Sequence, residues 1–541
     1  MQNTIAVNPT PYRAHVRPSL TLSLAAAAAV ACASVTAPSA AAPQRADDAA
    51  ASAIVARVRT AIGYAALKQR LHAGFVVEES EAAAAGATAP ANAKVLLFGP
   101  AGRYREESKP SDGRPLGFDG RLGWQVDRAG LAVPLPQRLR EKILIPAWVR
   151  GGWWLDDAAP LSFSVLPAES NADHVTIALR AEHGLVDAKI VIDRTTWLPS
   201  TLVVGYERGP YTVTFSDYRT TLGFRFPQTV VIRYRDSATE YRVTSVAPAQ
   251  TASFAPPPLP PDTAFDDSAP ADVKVAQGVP FSKSAPGHYY VRAAVDGKDA
   301  GWFHFDSGSD TMQIDAKIAD ALNMPVLGRT ETRGADGRPQ QVTIRQGKTF
   351  QLGRMTYRNP IFLASDMADK NAPPGQARAG IVGFPFFARA VVEVAGGGKR
   401  IAVYDPKRYV LARGRWQDLS FIDLTPAVVC RFEGDRHGLF QLDTGFVGTV
   451  TFYDKFIKDE KLLEGRQVKD DTDVGAGGSY KLLTGKLAWF ELAGRRFAEP
   501  TVGFRVEGLS REGGAGVVGR ELLSAVTVVF DYPSRRVAFL R

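Results

Sequence analysis

The hydrophobic positions near the start of the chain recur at steps of three and four residues. Between about Asp47 and Leu71 the apolar residues at this spacing are Ile54, Val55, Val58, Ile62, Ala65 and Leu67. Such spacing places apolar side chains on one face of a helix that has 3.6 residues per turn. The pattern predicts an amphipathic helix over this segment.

Beyond an Ala/Gly-rich stretch at residues 81–93, the pattern changes to short runs of alternating polarity. These runs are Lys94 to Phe98, Val175 to Leu179, Lys189 to Asp193, Thr201 to Tyr206, Tyr211 to Phe215 and Thr229 to Tyr234. Turn residues separate the runs, and consecutive strands without intervening helices form antiparallel sheets. The pattern predicts one domain over residues 47–250 that contains an antiparallel β-sheet and a helix.

Two short motifs in the C-terminal half have matching surroundings. The motif Asp-Ser-Gly at 306–308 has Gly383 as its partner, 77 residues after the aspartate, and Asp-Thr-Gly at 443–445 has Gly519, 76 residues after its aspartate. Two apolar residues precede each partner glycine, and an apolar run, a turn and a closing strand follow it. An internal repeat of this kind indicates two similar β units.

The two motifs and their surroundings resemble the aspartic protease superfamily, specifically the retropepsin-like aspartyl proteases of bacteria, with two lobes fused as in pepsin. The resemblance spans about residues 285–541 and implies one lobe over 285–412 and another over 413–541. Each lobe of this family supplies one aspartate at a pseudo-two-fold axis, which implies that Asp306 and Asp443 form the catalytic pair. The residues that would support this pair are Ser307, Gly308, Ser309, Thr444 and Gly445.

Such a pair of aspartates has a definite chemistry. Two carboxylates about 3 Å apart cannot both ionise, so they share a proton, and one acts as base towards a water while the other acts as acid towards the scissile carbonyl. This chemistry needs no cofactor. The glycines permit sharp turns close to the carboxylates, while Ser307 and Thr444 can hydrogen-bond across the lobe junction. A single copy of the motif could mark only a β-turn, but two copies in register favour the protease fold.

The second motif departs from the family pattern at the position after its glycine. Phe446 and Val447 stand where the family usually has a small or hydroxyl residue. This departure predicts the loss of one hydrogen bond to the aspartate pair, and it leaves open a site that binds without cleaving.

A hairpin candidate lies between each Asp motif and its partner glycine. The resemblance implies that these hairpins are flaps that close over the substrate, at Gly334 and Ala335 in the first lobe and at Gly475 and Ala476 in the second. Asp-Gly and Gly-Gly are also ordinary hairpin turns, so the turn and flap interpretations both stand.

The histidines give no sign of a metal site. Those outside the N-terminal segment show no close metal-ligand spacing, so we predict no metal site. His304 occupies the register that Gln441 has in the second copy. This correspondence favours a framework position for His304 over the role of a catalytic base.

The N-terminal half resembles the half-barrel domains of the outer-membrane lipoprotein-sorting type. The residues that carry this resemblance are Gly117-Phe118-Asp119-Gly120 with Trp124, Ile192-Asp193-Arg194 with Leu198-Pro199, and Phe215 to Arg219 running into Gly223 and Phe226-Pro227. The concave face of the sheet in that family can hold acyl chains, which implies a lipid or acyl ligand. A β-scaffold whose aromatic residues, Trp153 and Trp154 among them, are simply core explains the pattern equally well.

A proline-rich segment separates the two halves. Five prolines lie within residues 256–261, and an acidic stretch follows at 262–272. Such a composition is typical of a semi-rigid spacer rather than of packed structure. The sequence therefore predicts a linker over about 251–280.

Composition and charge exclude some classes of protein. The chain has 541 residues, of which 45% are hydrophobic and 22% charged, as in soluble globular proteins with two or three domains. The net charge of +9 is spread along the chain without a dense basic block, so no nucleic-acid partner is predicted. The two cysteines, Cys32 and Cys430, predict no intramolecular disulfide, because Cys32 lies in the N-terminal segment described next.

The first residues have the pattern of an export signal. Arg13 and Arg17 precede an apolar run at residues 20–35, and small residues follow, so we predict a cleaved signal peptide over 1–42. The alternative, a transmembrane anchor, is disfavoured because the run is shorter than the roughly 20 residues that a span needs. The residues before Cys32 faintly resemble a bacterial lipobox, which would make the protein a lipoprotein. A periplasmic or envelope location is expected.

Together these patterns predict a mainly β protein with an N-terminal half-barrel and a C-terminal two-lobed aspartic-protease-like domain. The predicted activity is that of an exported aspartic endopeptidase acting on a peptide or protein. One chain supplies both aspartates, so we expect a monomer. The alternative is a catalytically inactive envelope protein that binds peptide or lipid on the same fold.

Overall fold

The computed structural model describes residues 49–540 with short gaps. The gaps are residues 83–91, 110–113, 128–129, 136, 182–183, 185, 206–209, 235–236, 251–252, 267–277, 280, 285–286, 334–338, 368–376, 396–399, 476–477 and 507–513. The described residues belong to one compact unit. Strands account for 51% of the described residues and helices for 16%, which confirms the predicted mainly β class.

Three helices accompany the first part of the chain: α1 (Ala49–Ile62), α2 (Tyr64–Ala73) and α3 (Gln137–Gly151). The prediction of a single helix from Asp47 to Leu71 is wrong at Gly63. This glycine has a φ of 77°, a left-handed conformation that ends a helix, and α1 and α2 meet there at a bend of 78°. The helix α3 was not predicted, because Pro146 interrupts its pattern.

The first 13 strands form one antiparallel sheet. They are β1 (Phe75–Glu81), β2 (Ala93–Phe98), β3 (Tyr104–Lys109), β4 (Leu116–Phe118), β5 (Gly123–Val126), β6 (Ala132–Pro134), β7 (Leu161–Val165), β8 (His174–Ala181), β9 (Ala188–Asp193), β10 (Pro199–Val204), β11 (Tyr211–Thr221), β12 (Phe224–Tyr234) and β13 (Ser237–Pro248). Their order is β6-β5-β4-β3-β2-β1-β13-β12-β11-β10-β9-β8-β7. Short 3-10 turns occur at Pro100–Gly102, Trp153–Leu155 and Pro167–Glu169. The predicted antiparallel sheet is confirmed.

Aromatic side chains fill the space between this sheet and its helices. Trp153 and Trp154 are both buried there, among the rings of Phe75, Phe98, Trp148, Phe163, Phe224 and Phe226. The rings meet mostly edge to face or stacked, at centroid separations of 5.0 Å for Phe75 and Phe98 and 5.8 Å for Trp154 and Phe163. These tryptophans are core residues, as one of the two interpretations above held.

The second part of the chain begins with a mixed sheet of 11 strands. These are β14 (Thr263–Phe265), β15 (Phe281–Lys283), β16 (Tyr289–Val295), β17 (Lys298–Phe305), β18 (Gln313–Asp315), β19 (Val326–Arg333), β20 (Pro339–Gln346), β21 (Thr349–Leu352), β22 (Met355–Arg358), β23 (Ile361–Ser365) and β24 (Arg378–Val382). The order is β14-β22-β21-β16-β17-β24-β18-β23-β20-β19, with β15 on β16. Two short helices, α4 (Ala316–Ala321) and α5 (Phe384–Phe387), complete this part.

The remaining strands form two sheets. They are β25 (Val391–Val394), β26 (Ile401–Tyr404), β27 (Gln417–Asp418), β28 (Ser420–Ile422), β29 (Thr425–Phe432), β30 (Arg436–Leu442), β31 (Val450–Phe452), β32 (Val468–Gly475), β33 (Gly478–Lys486), β34 (Trp489–Leu492), β35 (Arg495–Ala498), β36 (Thr501–Phe504), β37 (Gly516–Val518), β38 (Thr527–Asp531) and β39 (Arg536–Leu540). The ten-stranded sheet has the order β32-β33-β36-β31-β37-β30-β29-β34-β35, with β28 on β29. The helices here are α6 (Asp454–Asp459) and α7 (Arg520–Leu523).

A five-stranded sheet joins the segments that follow the two partner glycines. Its order is β26-β25-β38-β39-β27. Strand β25 comes soon after Gly383 and β38 soon after Gly519, and the two pair antiparallel with Val391 opposite Asp531. This shared sheet therefore ties the two halves of the predicted protease-like region together.

The proline-rich segment is packed rather than extended in solvent. We call residues 253–266 the strap. The Phe254 carbonyl oxygen accepts a hydrogen bond from Trp124 Nε1 at 3.0 Å, the side chain of Asp262 binds that of Arg389, and β14 pairs with β22. The expectation of an unpacked spacer is wrong for the strap, because partners distant in sequence bury it.

The strap is not the only contact between the N-terminal sheet and the C-terminal part. Leu131 and Val133, beside and within β6, belong to the same buried cluster as the core of the C-terminal sheets. Ion pairs join Arg535 to Asp119 at 3.4 Å and Arg121 to Asp418 at 3.0 Å. The N-terminal sheet is thus packed directly on the lobes.

The predicted signal segment 1–42 and Cys32 lie outside the described residues. Within the part of the chain that the structure describes, no single helix has the length and apolar character needed to cross a membrane. The bent pair of α1 and α2 passes that test only when the two helices are taken together.

Candidate active site

Asp306 and Asp443 occupy corresponding positions in their sheets. Asp306 directly follows β17, which runs parallel to β24, and its amide donates to the Val382 carbonyl oxygen at 3.1 Å. Asp443 directly follows β30, which runs parallel to β37, and its amide donates to Val518 O at 3.0 Å. Each Asp motif therefore lies beside the two apolar residues that precede its partner glycine.

Ser307 and Thr444 form a reciprocal set of hydrogen bonds across the lobe junction. The Ser307 amide donates to Thr444 Oγ1, and the Thr444 amide donates to Ser307 Oγ, both at 2.9 Å. The Ser307 hydroxyl donates to Leu442 O at 2.8 Å, and the Thr444 hydroxyl donates to Phe305 O at 3.0 Å. Both side chains are almost fully buried. A buried polar network with all partners in place fixes one arrangement of its members, and this one holds the two motifs face to face.

The glycines of the motifs leave room for the opposite carboxylate. A Cβ placed on Gly308 would lie 2.4 Å from Asp443 Oδ2, and a Cβ on Gly445 would lie 2.4 Å from Asp306 Oδ1. Both separations are far below van der Waals contact, so a side chain at either position would displace the carboxylate of the opposite motif. The crossing contacts place the two carboxylates against each other, and a side-chain hydrogen bond joins Asp306 to Asp443.

Backbone amides anchor one oxygen of each carboxylate. The Gly308 amide donates to Asp306 Oδ1 at 2.8 Å, and the Gly445 amide donates to Asp443 Oδ1 at 2.7 Å. The Phe446 amide adds a second donor to Asp443 Oδ1 at 3.1 Å. The carboxylates are thus oriented by the turns in which they lie.

The position after each glycine acts through its backbone. The Ser309 hydroxyl donates to Thr311 O at 3.0 Å, and the ring of Phe446 packs over the positions of Gly448 and Gly519. Phe446 nevertheless donates to Asp443 through its amide, as described above. The prediction that Phe446 loses a hydrogen bond to the aspartate pair considered only its side chain, whereas its backbone amide makes one.

Burial raises the pKa of Asp306 above the usual range of an aspartate. Four interactions act in the opposite direction and lower this pKa: the Gly308 amide, the hydrogen bond with Asp443, the positive charge of Arg378, and the Ser309 amide. Burial prevails. Asp306 therefore keeps a proton at a pH at which an exposed aspartate has lost it.

This shift predicts a specific dependence of stability on pH. The unfolded-state pKa of Asp is about 3.9, and the folded-state pKa of Asp306 is raised above it. Protonated Asp306 therefore contributes its full stabilisation below the unfolded-state pKa. This stabilisation is lost as the pH rises through the folded-state pKa. We expect Asp306→Asn, which never ionises, to gain stability relative to the natural protein as the pH rises from 4 to 8. Urea unfolding across this range measures the difference. The exposed Asp435→Asn is the matched control, and parallel curves for the natural protein and Asp306→Asn would refute the assignment.

Three residues near the pair were not singled out as functional from the sequence. Tyr532 lies in a cage of aromatic rings, and burial and then the charges of Asp306 and Asp443 raise its pKa. Arg378 begins β24 and acts on the charge of Asp306, as described above. The Nδ1 atom of His304 is 4.0 Å from Asp306 Oδ2, and this residue pairs in register with Tyr290 of β16. No sequence motif marks Tyr532 or Arg378.

The hairpins that were predicted as flap candidates are only partly described. Strands β19 and β20 form one hairpin, and β32 and β33 form the other. Gly334, Ala335 and Ala476 lie outside the described residues, whereas Gly475 ends β32 opposite Gly478. Within the described ranges, no group of three or more His, Cys, Asp or Glu side chains is arranged to hold a metal ion.

Comparison with known proteins bears on both halves of the chain. A family model described as aspartyl protease matches residues 291–386, which include Asp306 and Gly383. The chain therefore carries an aspartyl protease-like domain. No curated protein sequence matches the chain.

The solved structures that are similar to the N-terminal region include the following two. A LolA superfamily protein from Nitrosomonas europaea shares 11% identity over 35% of this chain and 95% of its own, with a TM-score of 0.27. A putative outer membrane lipoprotein-sorting protein domain from Vibrio parahaemolyticus shares 10% identity over 37% of this chain and 93% of its own, with a TM-score of 0.26.

Proposed function

We propose that the C-terminal region is an aspartic endopeptidase that hydrolyses peptide bonds with a water activated between Asp306 and Asp443. The observation that carries the proposal is the crossed packing of the two motifs, in which each glycine accommodates the carboxylate of the other motif. Such an arrangement forces two acidic groups to share one site. The family match over residues 291–386 supports the same chemistry.

The chemistry proceeds without a covalent enzyme intermediate. Two adjacent carboxylates hold one proton between them. The ionised partner takes a proton from a water molecule, whose oxygen attacks the carbonyl carbon of the peptide bond, while the protonated partner donates its proton to the carbonyl oxygen. In the resulting tetrahedral diol, the aspartate that took the proton from water donates it to the leaving nitrogen, and the other aspartate takes a proton from one hydroxyl. The C–N bond then breaks. The products are a carboxylic acid and an amine.

In this proposal, the neighbours of the pair have supporting roles. The amides of Gly308 and Gly445 hold one oxygen of each carboxylate, which leaves the acid–base work to the other. The raised pKa of Asp306 favours the singly protonated pair above the pH range of a free aspartate. Ser307 and Thr444 are positioning residues that lock the two turns together.

We also propose that the protein is exported and works as a monomer. Export rests on the basic, apolar and small residues of the segment 1–42. The monomer rests on the presence of both aspartates in one chain, held by hydrogen bonds within that chain. Its partner would be a peptide or protein substrate.

Digestion of a defined peptide mixture in H₂¹⁸O, followed by mass spectrometry, tests the activity. We expect cleavage that places ¹⁸O in the new carboxylate, persists in EDTA, and transfers no acyl group to added hydroxylamine, because water attacks directly. Retention of peptide on the protein without cleavage would favour the alternative, a binding protein. Acyl transfer to hydroxylamine would point to a covalent nucleophile and overturn the proposal.

A further inference from the structure

A cleft lies where the N-terminal sheet, the strap and the lobes meet. Its volume is about 180 Å³. Trp124 and Leu131 contribute from the N-terminal sheet, Pro256–Pro258 and Leu259 from the strap, and Phe384, Phe421 and Tyr532 from the lobes. We call it the junction cleft.

Most of the residues that line the junction cleft are apolar, and the cleft is partly open to solvent. Leu259 is 40% exposed at the rim, whereas Trp124 at the base is completely buried. The Trp124 ring is fixed because its Nε1 donates to the Phe254 carbonyl oxygen at 3.0 Å. Cavities of roughly 150 Å³ with apolar walls bind benzene, so the junction cleft has space for one ring-sized apolar group.

Among the described residues that line the cleft, Arg535 carries a positive charge. Arg535 is 22% exposed, and its Nη2 lies 3.4 Å from Asp119 Oδ2, which is a long hydrogen bond. A guanidinium has five donors in a planar fork that matches a carboxylate. Because Asp119 already places one negative charge beside Arg535, a ligand with a single negative charge fits better than a phosphate with two.

We propose that the junction cleft binds a small carboxylate that carries one ring-sized apolar group. The apolar group packs on Phe421, Leu259 and the strap prolines, and the carboxylate binds Arg535. This site is separate from the aspartate pair and does not depend on the proposed peptidase activity.

Two residues that line the junction cleft, Phe384 and Tyr532, also lie near the aspartate pair. Phe384 directly follows Gly383, and its amide donates to Ser309 O at 2.9 Å, in the turn that contains Asp306. Tyr532 lines the cleft and also feels the charges of both aspartates. The cleft therefore shares Phe384 and Tyr532 with the surroundings of the pair.

Isothermal titration of the full chain with phenylacetate tests this proposal. We expect saturable 1:1 binding, and at least about tenfold weaker binding of phenylacetamide, which has the same shape without the charge. Arg535→Gln should weaken phenylacetate by a similar factor and leave phenylacetamide unchanged, since only the charged contact is lost. Leu259→Ser, at an exposed position, should weaken both ligands.

Arg495→Gln is the matched control. This arginine stacks on Phe497 and does not line the junction cleft, so its replacement should leave both affinities unchanged. Circular dichroism of each variant verifies folding. Equal affinity for the acid and the amide, affinities unchanged in Arg535→Gln and Leu259→Ser, or no saturable binding up to about 10 mM would overturn the proposal.

Discussion

Replacement of either Asp306 or Asp443 by Asn should lower kcat/KM for peptide hydrolysis by about a thousandfold or more, as expected when a group that moves a proton is lost. An Asn can still accept the Gly308 or Gly445 amide, so the turn is preserved while the shared proton disappears. The double variant should lose little more than either single variant, because the pair acts as a unit. Steady-state assays on the most rapidly cleaved peptide measure all three.

Two further measurements make this prediction sharp. Asp435→Asn, a fully exposed aspartate paired only loosely with Arg431, should keep full activity. A mixture of the Asp306→Asn and Asp443→Asn proteins should stay inactive, since each chain builds its own pair. Restored cleavage in the mixture would mean that sites form between chains, and undiminished activity in a single variant would remove the pair from the reaction.

Arg389→Met should cost about 3–5 kcal/mol of unfolding free energy, the usual result of removing one partner of a buried ion pair. Arg389 is 1% exposed, donates to Asp262 through Nε and Nη2 and to Pro385 O through Nη1, and lies 4.1 Å over the ring of Tyr357. Without Arg389, the Asp262 carboxylate loses this counter-charge, although its side chain is only 15% exposed to solvent. Urea unfolding monitored by tryptophan fluorescence gives the loss.

The exposed pair of Arg292 and Asp299 supplies the comparison. Both side chains are 53% exposed, so Arg292→Met should cost no more than about 1 kcal/mol. Replacing both partners of the buried pair, as Arg389→Met with Asp262→Leu, should recover much of the loss, because no unpaired charge remains. Similar small costs for Arg389→Met and Arg292→Met would show that the strap does not depend on this ion pair.

The positions of the two aspartates could be predicted from the sequence because each lies in a short motif and the motif occurs twice. Each motif is three consecutive residues, and its partner glycine follows at nearly the same distance in both copies. The structure adds what spacing cannot give. Phe446 breaks the family pattern as a side chain, yet its amide, which every residue except proline has, donates to Asp443.

The packing of the strap and the aromatic rings around Tyr532 could not be predicted from the sequence, because their contacts join residues that are distant in the chain. Composition alone predicts a spacer from the prolines at 256–261, but Asp262 finds Arg389 at a separation of 127 residues. Tyr532 likewise acquires its place only through packing on rings from other segments, including Phe384 and Phe421. Local patterns predict elements; contacts between distant segments decide whether a segment is packed and which side chains surround a site.

The shared five-stranded sheet determines which part of the protein can fold first during synthesis. Strand β25 pairs with β38, which is synthesised well over 100 residues later, and β38 in turn pairs with β39. A chain that is still emerging from the ribosome can form the N-terminal sheet, whose strands are complete by Pro248. It cannot complete the lobe junction until residues near Leu540 have arrived. Any hydrolytic activity of the pair is thereby withheld until nearly the whole described chain has been synthesised.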